Sequence, residues 1–403
     1  MRKPLLALAV ALTLGGAQAA EPPANTDRDV VTAGANAFGV DLYRDLASKD
    51  GANLFISPTS ISTALAMVYA GANGQTAADI AKTMHYDLPA DRFHAASGDL
   101  LKSMQIKAEG RRLAVANALW VEKSYVLSPA YLALTEKHYG AGVKKMDFSK
   151  RTQAVGTINK WVSDNTEQKI KNLFSPSDVT AATRLVLTNT VYLKADWADP
   201  FKKSATHDAP FHLSGDKSVT APMMSQQRRY LYAKADGAQM LSIPYQGDEL
   251  AFVIVLPDAV DGLGAIEKKL SAAQLSSWQG ALKSSSALVN LQIPKLKFQA
   301  KYPLEQPLKQ LGMANAFSDQ ADFSGMSAKR DLKIDKVIHQ TYLAVDETGT
   351  EAAAATGVTM ALTAAMPVDM PIMFHADHPF LFWIEDKRSG AILFMGRVTD
   401  PAA

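Results

Sequence analysis

A run of small residues near the C-terminal end constrains this chain more than any other segment. Residues 349–356 read Gly-Thr-Glu-Ala-Ala-Ala-Ala-Thr and contain no proline, which would interrupt the hydrogen bonds of a strand. In an extended chain alternate side chains share a face. One face would therefore carry only small uncharged residues, namely Thr350, Ala352, Ala354, Thr356 and Val358. The pattern predicts a segment that is able to enter an existing sheet as a new strand.

Alanine has the highest helix propensity, so the run taken by itself favours a short exposed helix. Its surroundings favour a different interpretation. A strand-like segment, residues 337–345, precedes it, and another, residues 379–384, follows it. Long loops within compact domains are usually functional. We therefore interpret the run as part of a functional loop between two strands.

The N-terminus has the pattern of a secretory signal peptide of bacterial type. The first three residues, Met-Arg-Lys, are positively charged, residues 5–14 are apolar, and residues 17–19, Ala-Gln-Ala, form a cleavage site. The apolar run is too short to span a membrane. Cleavage after Ala19 would leave residues 20–403, and a chain without cysteine offers no site for a lipid-modified N-terminal cysteine. The sequence predicts an exported protein, periplasmic or secreted, with no membrane attachment after cleavage.

The charge balance argues against nucleic acid as a partner. The chain has 42 Lys and Arg against 40 Asp and Glu, and the leader, with Arg2 and Lys3, accounts for the excess. A mature chain without net charge lacks the basic surplus typical of nucleic-acid-binding proteins. Basic residues between positions 102 and 112 are interleaved with acidic ones, which favours a solvated helix face there over a polyanion site.

The order of periodic segments predicts an α+β fold. Apolar residues recur at helical spacing in residues 30–46 and 60–69, and Thr76 is a candidate cap for the next helix. From residue 112 onward many segments have strand character. No tract rich in proline, glycine or serine divides the chain into domains. Helices first and a long β-rich part afterwards indicate large mixed sheets with helices around them.

Motifs of common enzyme classes do not occur in the sequence. It contains neither G-x-S-x-G nor H-E-x-x-H. One S-x-x-K pattern, residues 214–217, has Gly-Asp at its centre and indicates a hairpin turn. His375 and His378 are a candidate metal-binding pair, but no recognised metal-site pattern accompanies them. The sequence predicts no enzyme, no cofactor and no metal.

Ordered motifs distributed over the chain resemble those of the serpins. Residues 53–61 (NLFISPTSI) resemble the family's segment beneath its main sheet, and residues 187–197 (LTNTVYLKADW) resemble its strand that ends in tryptophan. Residues 346–353 (DETGTEAA) resemble the hinge of its reactive loop. Residues 376–382 (ADHPFLF) and 394–398 (FMGRV) are similar to its closing strands. The chain is therefore identified as a member of this family from residue 20 to residue 403.

The resemblance implies a serpin fold with three β-sheets, about nine helices and an exposed reactive-centre loop at about residues 347–378. It also implies a suicide-type inhibitor of serine proteases. The protease attacks the loop and forms a covalent acyl-enzyme, and the cleaved loop then inserts into the central sheet before deacylation. A monomer that needs no cofactor is implied. The alternative is a serpin without inhibitory activity that acts as a binding or chaperone protein.

The spacing usual in the family places the reactive bond between Thr363 and Ala364, counted from Glu347. Thr363 is small and β-branched and would suit an elastase-like protease. Leu362, one position earlier, would suit chymotrypsin-like or subtilisin-like enzymes and is the alternative reactive residue. Met366 is a poor candidate because a proline follows it.

The resemblance also assigns roles to two groups of residues. The hinge comprises Glu347, Gly349, Thr350, Glu351, Ala352, Ala353, Ala354, Ala355 and Thr356. The sheet-opening residues are Trp197, Lys295 as the partner of Glu347, and a polar group of Ser57, Ser60, Asn189 and His339. An unpaired charge buried by insertion would be costly, and Glu351 falls on the outward-facing parity. The hinge is therefore predicted to be competent for insertion.

Overall fold

The computed structural model describes residues 26–105, 107–108, 110–140, 143–214, 216–350 and 370–403. The predicted signal peptide lies outside the described residues. So do hinge residues 351–356 and the reactive bond predicted at residues 362–364. The part of the hinge that the structure describes is residues 347–350.

Nine α-helices lie in the described part of the chain, six of them before residue 170. They are α1 (Asp27–Ala47), α2 (Pro58–Tyr69), α3 (Gly74–Thr83), α4 (Ala90–Met104), α5 (Pro129–Tyr139), α6 (Arg151–Asn165), α7 (Leu263–Lys269), α8 (Ala272–Lys283) and α9 (Glu305–Leu308). Local sequence signals explain several helix ends. Thr26 and Asp29 form a reciprocal capping box at the start of α1, Pro58 lies in the first turn of α2, and Gly140 ends α5 with a φ of 56°.

The prediction that Thr76 caps α3 was wrong. The helix begins at Gly74, directly after Asn73. Thr76 is buried, and its hydroxyl oxygen accepts hydrogen bonds from Asn315 Nδ2 (3.1 Å) and from the backbone N–H of Asp322 (2.9 Å). The hydroxyl therefore connects this helix to a distant segment instead of satisfying the helix's own first turn.

Sixteen strands complete the described elements. They are β1 (Leu54–Ile56), β2 (Lys107–Ala108), β3 (Arg111–Glu122), β4 (Val143–Met146), β5 (Leu185–Asp196), β6 (His207–Ser214), β7 (Lys217–Ala235), β8 (Ala238–Pro244), β9 (Leu250–Pro257), β10 (Ser286–Pro294), β11 (Leu296–Pro303), β12 (Lys336–Val345), β13 (Gly349–Thr350), β14 (Ile372–His375), β15 (Phe380–Asp386) and β16 (Ala391–Val398). The predicted α+β class is confirmed, and the hairpin predicted at residues 214–217 joins β6 to β7.

Nine strands form one hydrogen-bonded sheet in the order β1-β16-β15-β9-β8-β7-β10-β14, with β6 also paired to β7. The long strand β7 belongs to two parts of this sheet. Its first residues pair with β6 and β10, and its last residues, from Leu231 to Ala235, pair with β8. Two of the three sheets expected for the fold are therefore continuous through β7, and β14 lies at one edge.

Seven strands form the other sheet, in the order β11-β12-β13-β5-β3-β2, with β4 paired to β3. Strand β5 is antiparallel to β3 and parallel to β12. The connection from β5 to β12 spans more than a hundred residues, so this parallel pair is not held together by a short turn.

Two apolar cores cover the two faces of the seven-stranded sheet. Odd-numbered residues of β5, including Leu187, Val191 and Leu193, point into the main core, which α2 shares. Even-numbered positions such as Val186 and Ile338 contact a smaller core that contains the buried side of α6. This alternation follows from strand geometry and assigns a face to each residue of β5 and β12. In the described part of the chain, no helix has the length and apolar content that a bilayer span requires.

Candidate functional site at the entry to the seven-stranded sheet

The two strands β5 and β12 contact each other directly over only part of their length. They pair in parallel from Val186 and Lys336 to Val191 and Thr341. Beyond that point β13 lies between them, with Thr350 opposite both Ala195 and Val345 in antiparallel register. The first two strand residues of the predicted hinge are thus already part of the sheet.

Gly349 is required by the close approach of the two backbones at this point. A Cβ atom at this position would overlap the carbonyl oxygen of Ala195 and lie 2.6 Å from the Cα of Asp196. No other residue fits without displacing β5. The chain reverses between β12 and β13 in a tight turn, in which the carboxylate of Asp346 accepts hydrogen bonds from the N–H (2.8 Å) and hydroxyl (2.5 Å) of Thr348.

Thr350 points into the main core, the face predicted for it from parity. It is 1% exposed, and its Oγ1 lies 2.6 Å from the hydroxyl oxygen of Tyr245. Tyr245 is itself buried, and this burial raises the pKa of its phenol well above the usual range. Sequence reasoning missed Tyr245, because a single tyrosine after β8 carries no distinguishing pattern.

Trp197, predicted at the entry point, packs against the same tyrosine. Its ring is stacked on Tyr245 with centroids 4.6 Å apart and an interplanar angle of 9°. Its Nε1–H donates to the carbonyl of Asp346 (2.9 Å), and its backbone N–H donates to the carbonyl of Thr348 (2.8 Å). Trp197 therefore fixes the turn between β12 and β13, and it packs against Tyr245, the residue that Thr350 contacts.

Glu347 and Lys295 form an ion pair, with Nζ 3.0 Å from Oε2 and 3.3 Å from Oε1. Thr206, which sequence reasoning missed, donates its hydroxyl to Oε1 at 2.9 Å. Burial alone would raise the pKa of Glu347, but these hydrogen bonds outweigh it and leave the pKa below its usual value. Because the Glu347 side chain is only 7% exposed, this pair is more than a solvent-screened surface contact. We call Trp197, Tyr245, Lys295, Glu347 and Thr350 the entry region.

A second group of polar side chains lies where β5 and β12 are in direct contact. The backbone N–H of Ser57 donates to His339 Nε2 (3.0 Å), so the proton of the neutral ring is on Nδ1, which lies 2.5 Å from Asn189 Oδ1. Asn189 Nδ2 in turn donates to Ser60 Oγ (2.6 Å) and Asn117 Oδ1 (2.5 Å). We call Ser57, Ser60, Asn117, Asn189 and His339 the polar cluster.

Burial lowers the pKa of His339 to about 3, so the ring is neutral across the physiological range. His339 and Asn189 are direct neighbours in the parallel register. Their hydrogen bond therefore crosses the β5–β12 junction. Asn117 was missed by sequence reasoning, although a signal exists: it is the polar position on a face of β3 that otherwise carries Leu113, Leu119 and Val121.

Three of the basic residues between positions 102 and 112 have acidic partners. Lys102 lies 3.8 Å from Asp99, Arg111 lies 2.9 Å from Glu249, and Arg112 contacts Glu167. The prediction of a helix face was wrong, because α4 ends at Met104 and Arg111 and Arg112 begin β3. The ion pairs nevertheless argue against a polyanion site. In the segments that the structure describes, no group of three or more histidine or acidic side chains is placed to hold a metal ion, and this includes His375 and His378.

Comparison with known proteins assigns the family. The model of the family described as Serpin (serine protease inhibitor) matches residues 33–401. The leukocyte elastase inhibitor of Homo sapiens is 40% identical over 376 residues, which cover 90% of this chain and 97% of that protein. A serpin-like protein of Thermococcus kodakarensis is 39% identical over 371 residues, covering 91% of this chain and 84% of the relative.

A solved structure agrees with these matches. Serpin48 of the insect Tenebrio molitor superposes with a TM-score of 0.81 at 31% identity, covering 92% of this chain and 98% of that one. The family match spans both the entry region and the polar cluster, and the fold is the one that the sequence motifs implied. The chain belongs to the serpin family.

Proposed function

We propose that this protein is a suicide-type inhibitor of serine proteases that traps the acyl-enzyme by inserting its cleaved loop between β5 and β12. The observation that carries the proposal is the position of β13. Gly349 of the hinge already pairs with β5 and Thr350 with both strands, and the residues that follow in the sequence are small and uncharged on the inward parity. Insertion would extend an existing strand, so no new one has to be nucleated.

The register of β13 predicts where each inserted residue would lie. If the antiparallel pairing continues, Ala352 comes between Leu343 and Leu193. Ala354 then comes between Thr341 and Val191. All of these positions face the main core, where the strands now touch directly over part of the path. Methyl-sized side chains suit a gap that must be opened between packed strands, because larger ones would displace the core.

Thr356 would be placed between His339 and Asn189 by the same register. Insertion separates these two side chains and breaks the hydrogen bond between them. A threonine hydroxyl can donate and accept, so Thr356 would accept from His339 Nδ1–H and donate to Asn189 Oδ1, the two groups that the broken hydrogen bond leaves unpaired. A purely apolar residue would leave buried polar groups unpaired, at a cost of about 1–3 kcal/mol.

Glu351 would lie on the opposite face, beside Lys194 of β5 in the same register. Opposite charges on neighbouring strands are favourable by up to about 1 kcal/mol. The single charge near the start of the hinge is therefore compatible with insertion.

Insertion would replace a short parallel pairing by two antiparallel ladders. Each net backbone hydrogen bond is worth about 1 kcal/mol, so the gain is on the order of ten kcal/mol for a strand that pairs along β12. The ladder on β12 would end opposite Thr359, four residues before Thr363. With the inserted chain fully extended, a protease attached to Thr363 would lie roughly 40 Å from Thr350, at about 3.3 Å per residue.

The proposed target is an elastase-like protease, with Thr363 as the reactive residue and Ala364 after the cleaved bond. The small side chain of Thr363 supports this target, as does the similarity to proteins named leukocyte elastase inhibitor. Leu362 as reactive residue, with a chymotrypsin-like or subtilisin-like target, is the alternative. The leader pattern supports action outside the cytoplasm, in the periplasm or the medium. We further propose that the inhibitor acts as a monomer and forms a covalent complex with the protease.

A direct test is to incubate residues 20–403 with pancreatic elastase and, separately, with chymotrypsin. Denaturing gels would detect a covalent complex, and mass spectrometry would identify the released peptide. We expect a complex stable to denaturant and a peptide that begins at Ala364. A peptide that begins at Thr363 would move the reactive residue to Leu362. Cleavage without a complex across a wider set of serine proteases would identify a non-inhibitory serpin.

A further inference from the structure

A second histidine, outside the polar cluster, has a different hydrogen-bonding environment. His378 lies between β14 and β15 and is 8% exposed. Its Nδ1 is 2.8 Å from Asp377 Oδ1, and its Nε2 is 2.8 Å from the carbonyl oxygen of Pro257. A carbonyl and an ionised carboxylate both accept hydrogen bonds and cannot donate. Both contacts are satisfied at once only when the ring carries a proton on each nitrogen.

His339 and His378 differ in the hydrogen-bond partners of their ring nitrogens. His339 receives a backbone N–H on one nitrogen, so its neutral form satisfies both contacts. His378 has an acceptor on each side, so its neutral form loses one hydrogen bond. Burial alone lowers the pKa of His378, but the hydrogen bonds to Asp377 and Pro257 and the charge of Asp377 outweigh it and raise the pKa.

The segment that carries His378 anchors β14. This strand is the edge of the nine-stranded sheet and pairs with β10 over four positions, from Val289 with Ile372 to Gln292 with His375. Directly after it, the N–H of Ala376 donates to the carbonyl of Gln292 at 2.8 Å. A short edge strand that pairs on one side is readily released from its sheet. The contacts at its ends therefore contribute much of the free energy that keeps it paired.

Other charged groups near this anchor are few among the described residues. From β6, the backbone N–H of His212 donates to the carbonyl of Asp377 (2.7 Å), and the His212 ring acts on the Asp377 carboxylate by charge. Beside Pro257, Asp258 is paired with Lys234 of β7 at 3.1 Å. None of these groups donates a hydrogen bond to the His378 ring. They therefore offer no donor to the ring nitrogen that loses its proton in the neutral form.

We propose that His378 is a pH-sensitive anchor that fixes β14, the strand directly after the reactive loop, to the nine-stranded sheet. The anchor holds when the ring is doubly protonated and weakens as the pH rises. Since the folded-state pKa is raised above its ordinary value, the contribution is complete below pH 6.5 and is lost as the pH rises through the folded-state pKa. This inference is independent of whether the protein inhibits proteases.

Hydrogen–deuterium exchange of the full mature chain tests the proposal. Protection of the amides of residues 372–375 would be measured from pH 5.5 to 9 and corrected for the intrinsic exchange rate at each pH. We expect protection of β14 to fall about tenfold across the transition, as for loss of one charge-assisted hydrogen bond. Peptides from β16, which lies inside the same sheet between β1 and β15, serve as the internal reference and should not change.

Two variants assign the effect to His378. His378→Gln removes the titrating group, so protection of β14 should be low and independent of pH. Asp377→Asn removes the carboxylate that favours the charged ring, so the transition should move to lower pH. His375→Gln, a neighbouring histidine on β14 itself, is the matched control and should keep the wild-type transition.

Constant protection of β14 in the wild type across this range would overturn the proposal. So would a wild-type transition that persists unchanged in Asp377→Asn, because the titrating group would then be another one. If His378→Gln does not fold, His212→Gln separates the two histidines near Asp377, because it should keep the wild-type transition if His378 is the titrating group. None of these outcomes depends on the formation of a protease complex.

Discussion

The junction between β5 and β12 is built in two different ways along its length. In the entry region β13 separates the strands, and an aromatic pair and an ion pair hold the hinge in place. At the polar cluster the strands touch, and a hydrogen bond from His339 to Asn189 crosses between them. The seven-stranded sheet is therefore open at the entry region, where β13 separates the strands, and closed at the polar cluster. Resistance to further insertion therefore comes from the closed end.

The largest effect that follows from this comparison concerns the whole junction. Cleavage of the loop should allow insertion through the closed end and raise the melting temperature by about 20 °C, because a gain of roughly ten kcal/mol is large for a domain of this size. Calorimetry of the intact protein and of the protein cleaved within residues 351–369 would measure the difference. Equal melting temperatures would contradict a metastable intact state.

The next effect concerns the entry region. Thr350→Arg would release β13 from the sheet in the intact protein, because a guanidinium among apolar groups and Tyr245 costs several kcal/mol. Insertion of the cleaved loop would have to bury the guanidinium again, so the cost falls on insertion. We expect the variant to be cleaved at the same bond but to form at least about tenfold less covalent complex per cleavage event. Densitometry of denaturing gels would give the ratio of complex to cleaved protein.

Glu351→Arg is the matched control for that variant. It introduces the same side chain on the outward parity, where the like charge of Lys194 costs up to about 1 kcal/mol, and it should retain most of the complex formation. Loss of inhibition to the same extent in both variants would show that charge anywhere in the hinge is disruptive, and the face assignment would then be wrong.

A smaller effect concerns the closed end and is set by pH. Burial lowers the pKa of His339 to about 3 and that of His94, in α4, to about 4. Their stabilising contributions are complete above pH 6.5 and are lost as the pH falls toward these values. As the pH falls from 6.5 to 5, each histidine should lower the free energy of unfolding by about 2 kcal/mol.

The variant His339→Gln should reduce the slope of unfolding free energy against pH in this interval by about 1.4 kcal/mol per pH unit. The slope that remains is due to other groups, among them His94 and His138, whose pKa values burial also lowers. Urea titrations at several pH values would measure it. An unchanged slope would mean that His339 is accessible to protons in the native state and does not lock the junction in its neutral form.

The smallest effect concerns the ion pair of the entry region. Lys295→Met leaves the buried carboxylate of Glu347 with Thr206 as its remaining side-chain partner, and we expect a loss of about 1–2 kcal/mol in the intact protein. The double variant Lys295→Met with Glu347→Gln should recover most of this loss because no charge is then left unpaired. A double variant less stable than Lys295→Met would refute the pairing.

Much of the fold could be predicted from local patterns. Helical spacing in the first third, strand patterns afterwards and the hairpin at residues 214–217 all appear in the structure. The start of α3 was predicted wrongly, because Thr76 bonds to Asn315 and Asp322, which are more than two hundred residues away. The continuity of two sheets through β7 also has no local signature, since a long strand can divide its partners in several ways.

The sequence by itself determined that Thr350 faces the core, because alternation along a strand is a local property of the backbone, and it predicts the same face for Ala352, Ala354 and Thr356 of an inserted hinge. It also carried the motifs that assign the family. Only the tertiary structure decided that Thr350 lies between β5 and β12, that its hydroxyl contacts Tyr245, and that Asn117 and Thr206 complete the two polar groups. These contacts join residues far apart in the chain. They depend on the register between strands, which packing of the whole core sets.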